Sequence, residues 1–117
     1  MSAPDPARRA AAIQMEARLA DPPYNIAQAG DLAEQALKEG AQIVALPEFF
    51  TTQLIYDERL WGCALPPENP AIDMMKSLAE RYEAVIGGSY LELRDGDVFN
   101  TYALVEPGGA VHKNGQI

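Results

Sequence analysis

Ala41-Gln-Ile-Val-Ala-Leu-Pro-Glu-Phe-Phe50 is the stretch whose reading decides the fold. Ile43 to Leu46 is a short apolar run rich in β-branched residues, preceded by Gly40 and followed by Pro47. Such a run predicts a fully buried strand of the kind found in a parallel sheet covered on both faces. Pro47 has no N–H to give a ladder, so the strand ends there. Glu48 is thereby held just past the carboxyl end of a buried strand, where open α/β sheets collect ligands and catalytic groups. Set between that strand and Phe49-Phe50, its carboxylate is expected to be partly desolvated, which raises its pKa and suits a general base. Taken alone, the stretch also fits a strand-end Glu that simply points to water.

Working back from Gly40, the chain reads as a helix. Ile26, Ala29, Ala33, Ala36 and Leu37 recur at helical spacing, with Asp31, Glu34, Gln35 and Lys38 elsewhere on the surface. Asn25 is the expected N-cap, with Gln28 three residues later in capping-box spacing, and Gly40 is the expected stop. Asp21-Pro-Pro-Tyr24 is a turn cluster. Before it, residues 10–16 predict a first strand, and the Pro- and Ala-rich residues 1–9 a disordered lead-in. Strand, helix and strand joined by a right-handed crossover make the first two strands parallel.

Working forward, residues 51–67 show no periodicity, and a connection that long is often functional. Asn69 with Pro70 opens a second helix over 70–82, with Ile72, Met75, Leu78, Ala79 and Tyr82 as its apolar stripe. Residues 84–93 predict a strand in which Gly87-Gly88 marks a bulge or a close backbone approach. Arg94-Asp-Gly-Asp97 is a hairpin signal, and 98–105 the return strand. Ala110-Val111 begins a further strand. The expected fold is α/β, with flanking helices on a mixed, mainly parallel sheet that turns antiparallel at the hairpin. That arrangement leaves an unpaired edge and an apolar sheet face, as if the sequence were cut off.

Composition narrows the function classes. The 117 residues are 48% hydrophobic and 22% charged, ordinary values for one small domain or part of one. Nine basic residues against seventeen acidic give a net charge of −8 and no basic cluster beyond Arg8-Arg9, which argues against nucleic acid or an anionic membrane as partner. No apolar run nears the roughly 20 residues that span a bilayer, and the start has no signal-like stretch. Cys63 is the lone cysteine, so no internal disulfide can form and a reducing, cytoplasmic setting is the simplest expectation. His112 is the only histidine and has no partner for a metal site, so neither metal nor cofactor is expected.

An ordered set of motifs resembles the carbon–nitrogen hydrolase (nitrilase) superfamily. The set is Ala-Ile-Gln14, Asn25 at the first helix, Gly40-Ala-Gln-Ile-Val-Ala-Leu-Pro-Glu48, Val85-Ile-Gly-Gly88, and Phe99-Asn-Thr-Tyr-Ala-Leu-Val105 before Pro-Gly-Gly109. It runs from about residue 10 to about residue 111. The resemblance implies part of a four-layer α-β-β-α sandwich, residues 10–117 forming an apparently truncated N-terminal portion. It also implies hydrolysis or condensation at amide, nitrile or carbamoyl carbon–nitrogen bonds by a Glu, a Lys and a Cys, with such a small molecule as substrate. Glu48 matches the Glu, the general base on the thiol. The Lys belongs in a segment resembling Tyr-Arg-Lys-hydrophobic; Lys113 lies a few residues too close to Gly109 and lacks those flanks, so the role is not carried over. The Cys belongs beyond residue 117, and Cys63 is on the wrong side of the lysine region.

Three readings follow. The first is an N-terminal portion of such a hydrolase, inactive as given and prone to form a homo-oligomer through its open sheet. The second is a small non-catalytic α/β binding module, and the third a pseudo-enzyme that lends its edge to another chain. Asn100 fits a role satisfying backbone near the hairpin, and Phe49, Tyr56 and Trp61 fit either a pocket lining or core packing.

Overall fold

The computed structural model describes residues 8–116. Along the chain lie β1 (Ala10–Ala12), α1 (Pro22–Lys38), β2 (Ile43–Ala45), a 3-10 turn at Glu58–Cys63, α2 (Pro70–Tyr82), β3 (Val85–Arg94), β4 (Asp97–Val105) and β5 (Val111–Gln116). The five strands form one sheet in chain order. β1, β2 and β3 are parallel, and β4 and β5 antiparallel. The mixed sheet expected from the sequence is therefore present, with β5 as the strand that begins at Val111. Of the expected lead-in, residues 1–7 lie outside the described residues, while Arg9 is already bound: its carbonyl accepts from Gln42 N at 2.8 Å and its guanidinium donates to Glu39 O at 3.1 Å.

Both helices pack on one face of the sheet. Ala29, Ala33 and Leu37 of α1 and Ile72, Met75, Leu78 and Ala79 of α2 form a core with Val44, Ile86, Tyr90, Ala103 and Val105. Small residues on α1 let the two helices approach, and Glu34 ties them by accepting from Arg81 and Tyr82 at 2.7 and 2.9 Å. The other face carries no helix layer among the described residues and is only partly covered, residues 54–61 reaching over the buried Leu91. The expectation of a β2 buried on both faces is thus corrected: Val44 is fully buried, but Ile43 is 47% exposed because no described element lies over it.

Several boundaries shift for physical reasons. β1 and β2 are three residues each rather than the seven of 10–16 and the six expected over 42–47, because Pro47 ends the donors on β2 and leaves β1 little to pair with beyond it; Ile13 N still reaches Ala45 O at 2.8 Å. α1 begins at Pro22, not at residue 25. Its N-cap is Asp21, which accepts from Tyr24 N at 3.3 Å, and two prolines fill the first turn, where a missing N–H costs nothing. Asn25 is therefore not a cap but a buried residue inside the helix. Its amide oxygen accepts from Arg18 N at 2.7 Å, and its NH2 donates to Arg18 O and Thr51 O at 2.7 and 2.8 Å. It fastens the loop before α1 to the loop after Glu48.

α2 starts as expected, with Asn69 accepting from Ile72 N at 3.0 Å. The β3–β4 hairpin is the expected two-residue turn, with φ of 52° at Asp95 and 81° at Gly96. Gly87-Gly88 makes no bulge, since the β3–β4 register runs unbroken. The alternative, a close approach, is what occurs: a Cβ on Gly88 would stand 2.9 Å from Leu46 Cβ and 3.0 Å from Phe50 Cε1, and one on Gly87 would strike the Tyr102 hydroxyl.

Candidate functional site

Glu48 sits where the sequence places it, three residues past the carboxyl end of β2 and at the edge of the parallel pair β1–β2. β3 outruns β2, and the chain after β2 stays along its exposed edge. Leu46 N donates to Gly87 O at 2.7 Å and Phe50 N to Ser89 O at 3.2 Å. Farther on, Leu65 N donates to Leu91 O at 2.9 Å and Leu65 O accepts from Leu93 N at 2.7 Å. Between the first two anchors the backbone bends sharply. Phe49 has φ 54°, a left-handed conformation that a bulky residue holds only when its surroundings impose it. Here Phe49 N–H donates to Ser89 Oγ at 3.1 Å, and the buried Phe50 ring anchors the next residue. The bend turns Glu48 away from the helix layer, toward the open face of the sheet.

On that face lies a polar cavity of about 270 Å³, lined by Leu46, Glu48, Ser89, Asn100, Tyr102, Asn114 and Gln116. Asn100 Nδ2 donates to Glu48 Oε1 at 3.1 Å. Asn100 Oδ1 is buried yet accepts no hydrogen bond within the described residues. An amide that gives its NH2 to a carboxylate and keeps a free acceptor beside it makes a site rich in acceptors, suited to a donor N–H or a cation. Glu48 itself is exposed, so the expected desolvation between strand and aromatic residues is absent. Phe49 and Phe50 do not enclose the carboxylate: the first is turned aside by its φ, the second buried under the helices.

Asn100 is the residue that sequence reasoning missed, having been given a local backbone role. A signal existed. The Asp95-Gly96 turn fixes the β3–β4 register, so counting back from it sets Asn100 opposite Leu91 and Tyr102 opposite Ser89, all on one face.

The remaining candidates fall elsewhere. Lys113 points to the helix side, on the face of β5 opposite Asn114 and Gln116, which line the Glu48 cavity. It donates to Glu92 Oε2 at 2.7 Å and to Pro67 O at 2.8 Å. Glu92 is fully buried and also accepts from Thr101 at 3.2 Å and Tyr90 at 3.4 Å. Burial opposes the Lys113 charge, but Glu92 and Tyr90 outweigh it and raise its pKa, while burial raises that of Tyr90. Cys63 lines a separate apolar cavity between the starts of the two helices. His112 pairs with Glu106 at 3.4 Å. Among the described residues no three His, Cys, Asp or Glu side chains gather as metal ligands, and no helix is long and apolar enough to cross a membrane.

Comparison with known proteins places most of the chain in one family. The sequence profile of the carbon–nitrogen hydrolase family matches residues 9–116. A nitrilase of Pyrococcus abyssi (strain GE5 / Orsay) is 31% identical over 109 residues, covering 90% of this chain and 41% of that protein. The crystal structure of XC1258 from Xanthomonas campestris, a CN-hydrolase superfamily protein with an arsenic adduct in its active site, superposes with a TM-score of 0.73 at 25% identity, over 89% of this chain and 38% of that one. An amidase from Nesterenkonia sp. shares the fold with a TM-score of 0.68 at 20% identity, over 94% of this chain and 43% of that one. The chain thus spans about two fifths of the length of these relatives. With its mixed sheet, its one-sided helix layer and its profile match over nearly the whole sequence, the chain belongs to the carbon–nitrogen hydrolase family.

Proposed function

We propose that this chain provides the carboxylate part of a carbon–nitrogen hydrolase site, with Glu48 as the general base in a Glu-Lys-Cys mechanism acting on a small amide, nitrile or carbamoyl compound. The observation that carries the reading is the placement of Glu48. It stands at the carboxyl edge of parallel strands, on a backbone forced to φ 54° at the next residue, with one carboxylate oxygen fixed by Asn100 at 3.1 Å. In such a reaction Glu48 takes the thiol proton, the thiolate attacks the carbon, and the Lys and N–H donors stabilise the oxyanion or its equivalent. The carbon–nitrogen bond of an amide then breaks as the amine leaves with a proton, and Glu48 next activates the water that frees the acid. Asn100 is a positioning residue here, and its free Oδ1 is placed to accept from the substrate NH2.

A base without nucleophile or cation catalyses little. No Lys or Cys lines the Glu48 cavity, and Lys113 and Cys63 are held elsewhere. The 117-residue chain is therefore expected to release no ammonia from an amide panel, with Glu48→Gln and Cys63→Ser indistinguishable from it. A chimera that joins it to the remainder of the Pyrococcus abyssi nitrilase is expected to gain turnover that Glu48→Gln abolishes. Turnover by the chain alone that vanishes in Cys63→Ser would make Cys63 the nucleophile and end this reading. The partly open sheet face, with Ile43 and Tyr102 each nearly half exposed, supports self-association as the companion proposal.

A further inference from the structure

Beside the Glu48 cavity lies a second one of about 560 Å³, within the size range of small-molecule sites. Phe49, Leu54, Ile55, Leu60, Trp61 and Leu91 supply its apolar lining. Two features tie it to Glu48. Phe49 is the next residue in the chain, and its strained backbone sends its ring into this cavity while Glu48 enters the other. Leu91 stands directly opposite Asn100 in the β3–β4 register. Directly paired residues share a sheet face with their Cβ atoms about 5 Å apart, so the apolar floor adjoins the very side chain that holds Glu48.

The charge around the cavity selects further. Asp57 on the rim is neutralised within its own turn, its carboxylate meeting Arg59 Nε at 2.9 Å and Nη2 at 2.7 Å. Those hydrogen bonds hold its pKa down at about 2. Glu58 adds a second carboxylate, and no lining residue is basic. An anionic group would find no basic partner in the lining. Meanwhile Leu54, Ile55 and Trp61 are 61%, 50% and 64% exposed, a costly display of large apolar side chains unless something covers them.

We infer that this cavity is the subsite for an uncharged apolar group of the substrate, an aryl or branched alkyl chain carried on the amide or nitrile whose reacting carbon reaches Glu48. The inference rests on Glu48 being the base. It assigns the loop after Glu48, rather than the polar cavity, the choice among substrates.

Trp61 is the chain's only tryptophan, so its emission reports on the cavity directly. The chain is titrated with 3-phenylpropionamide, acetamide, succinamate and 3-phenylpropionate, with excitation selective for tryptophan. A saturable shift is expected for 3-phenylpropionamide at concentrations at least tenfold below any response to acetamide or succinamate. Leu54→Asp and Ile55→Asp, at exposed positions that do not threaten folding, are each expected to weaken it at least tenfold with an unchanged circular dichroism spectrum. An unsaturable response, equal binding of succinamate, or indifference to both substitutions overturns the subsite. So does a Trp61 shift that depends on protein concentration without ligand, which would assign the cavity to a second copy of the chain. Glu48→Gln separates this from the parent reading. It should erase the preference for 3-phenylpropionamide over 3-phenylpropionate and leave the apolar contribution; an unchanged preference would refute the role of Glu48 and leave the apolar cavity standing.

Discussion

Replacing Lys113 by methionine tests whether this residue belongs to the fold or to the chemistry. Its partner Glu92 has a side chain only 1% exposed, against 24% for Lys113 itself. Removing one member of a buried ion pair leaves an uncompensated charge and costs about 3–5 kcal/mol. Three groups soften the loss here: Thr101 and Tyr90 still donate to the carboxylate, and Arg94 lies 3.7 Å from it. Arg94 is itself 41% exposed and screened by solvent, so it compensates weakly. The lower end of the range, about 3 kcal/mol, is the expected cost. Pro67 O loses its donor as well, but as an exposed carbonyl it can turn to water.

For a small domain with a urea slope of about 1.5 kcal/mol per molar, that cost moves the unfolding midpoint down by about 2 M. Removing both charges, as Glu92→Met with Lys113→Met, should restore at least half of the loss, because apolar replacement of a whole buried pair is often neutral. The Trp61 response to 3-phenylpropionamide should be the same in Lys113→Met as in the parent wherever both are folded. A midpoint change worth less than about 1 kcal/mol, the level of a surface pair, would refute the burial argument. Lost ligand response at unchanged stability would instead return Lys113 to the site.

Alkaline pH should act through the same cluster. Lys113 and Tyr90 both have pKa values raised in the folded state, so each holds its proton more tightly folded than unfolded. Their contribution is fully present below the unfolded values of about 10 and is lost as pH rises through the folded ones; urea midpoints should be flat up to about pH 9.5 and then fall, less steeply in Lys113→Met. Asn25→Ala should cost about 2–3 kcal/mol in the same assay, since it strands the Arg18 N–H and the Arg18 and Thr51 carbonyls.

What the sequence revealed of the fold was what its local chemistry dictates. Asn69-Pro70 caps α2 because the side chain and ring act within one turn, and Asp95-Gly96 makes its hairpin because both residues tolerate positive φ. Asn25 shows where this reasoning fails. Its identity and spacing suit a cap, but Asp21-Pro22-Pro23 caps the helix one turn earlier, and Asn25 is recruited by loops seven and twenty-six residues away. The short β1 and β2 likewise follow from what each strand finds beside it. Ile43 reads as core in any window of sequence, and only the absence of a second layer over it among the described residues leaves it exposed.

The candidate site divides along the same line. Glu48 was legible because its position depends on three adjacent facts: a β-branched run, a proline that stops the ladder, and a carboxylate next in line. Its environment was not, because desolvation depends on groups from β3, β4 and β5 rather than on its neighbours in the chain. Phe49 and Phe50 suggested an apolar shelter, yet the left-handed turn at Phe49 divides them, one ring lining the substrate-sized cavity and the other filling the core. That turn has a consequence for chemistry. It puts an acceptor-rich polar cavity and an apolar one on the same sheet face, joined through Asn100 and Leu91. A reacting group that needs hydrogen-bond acceptors and a side group that needs burial can then be held at once.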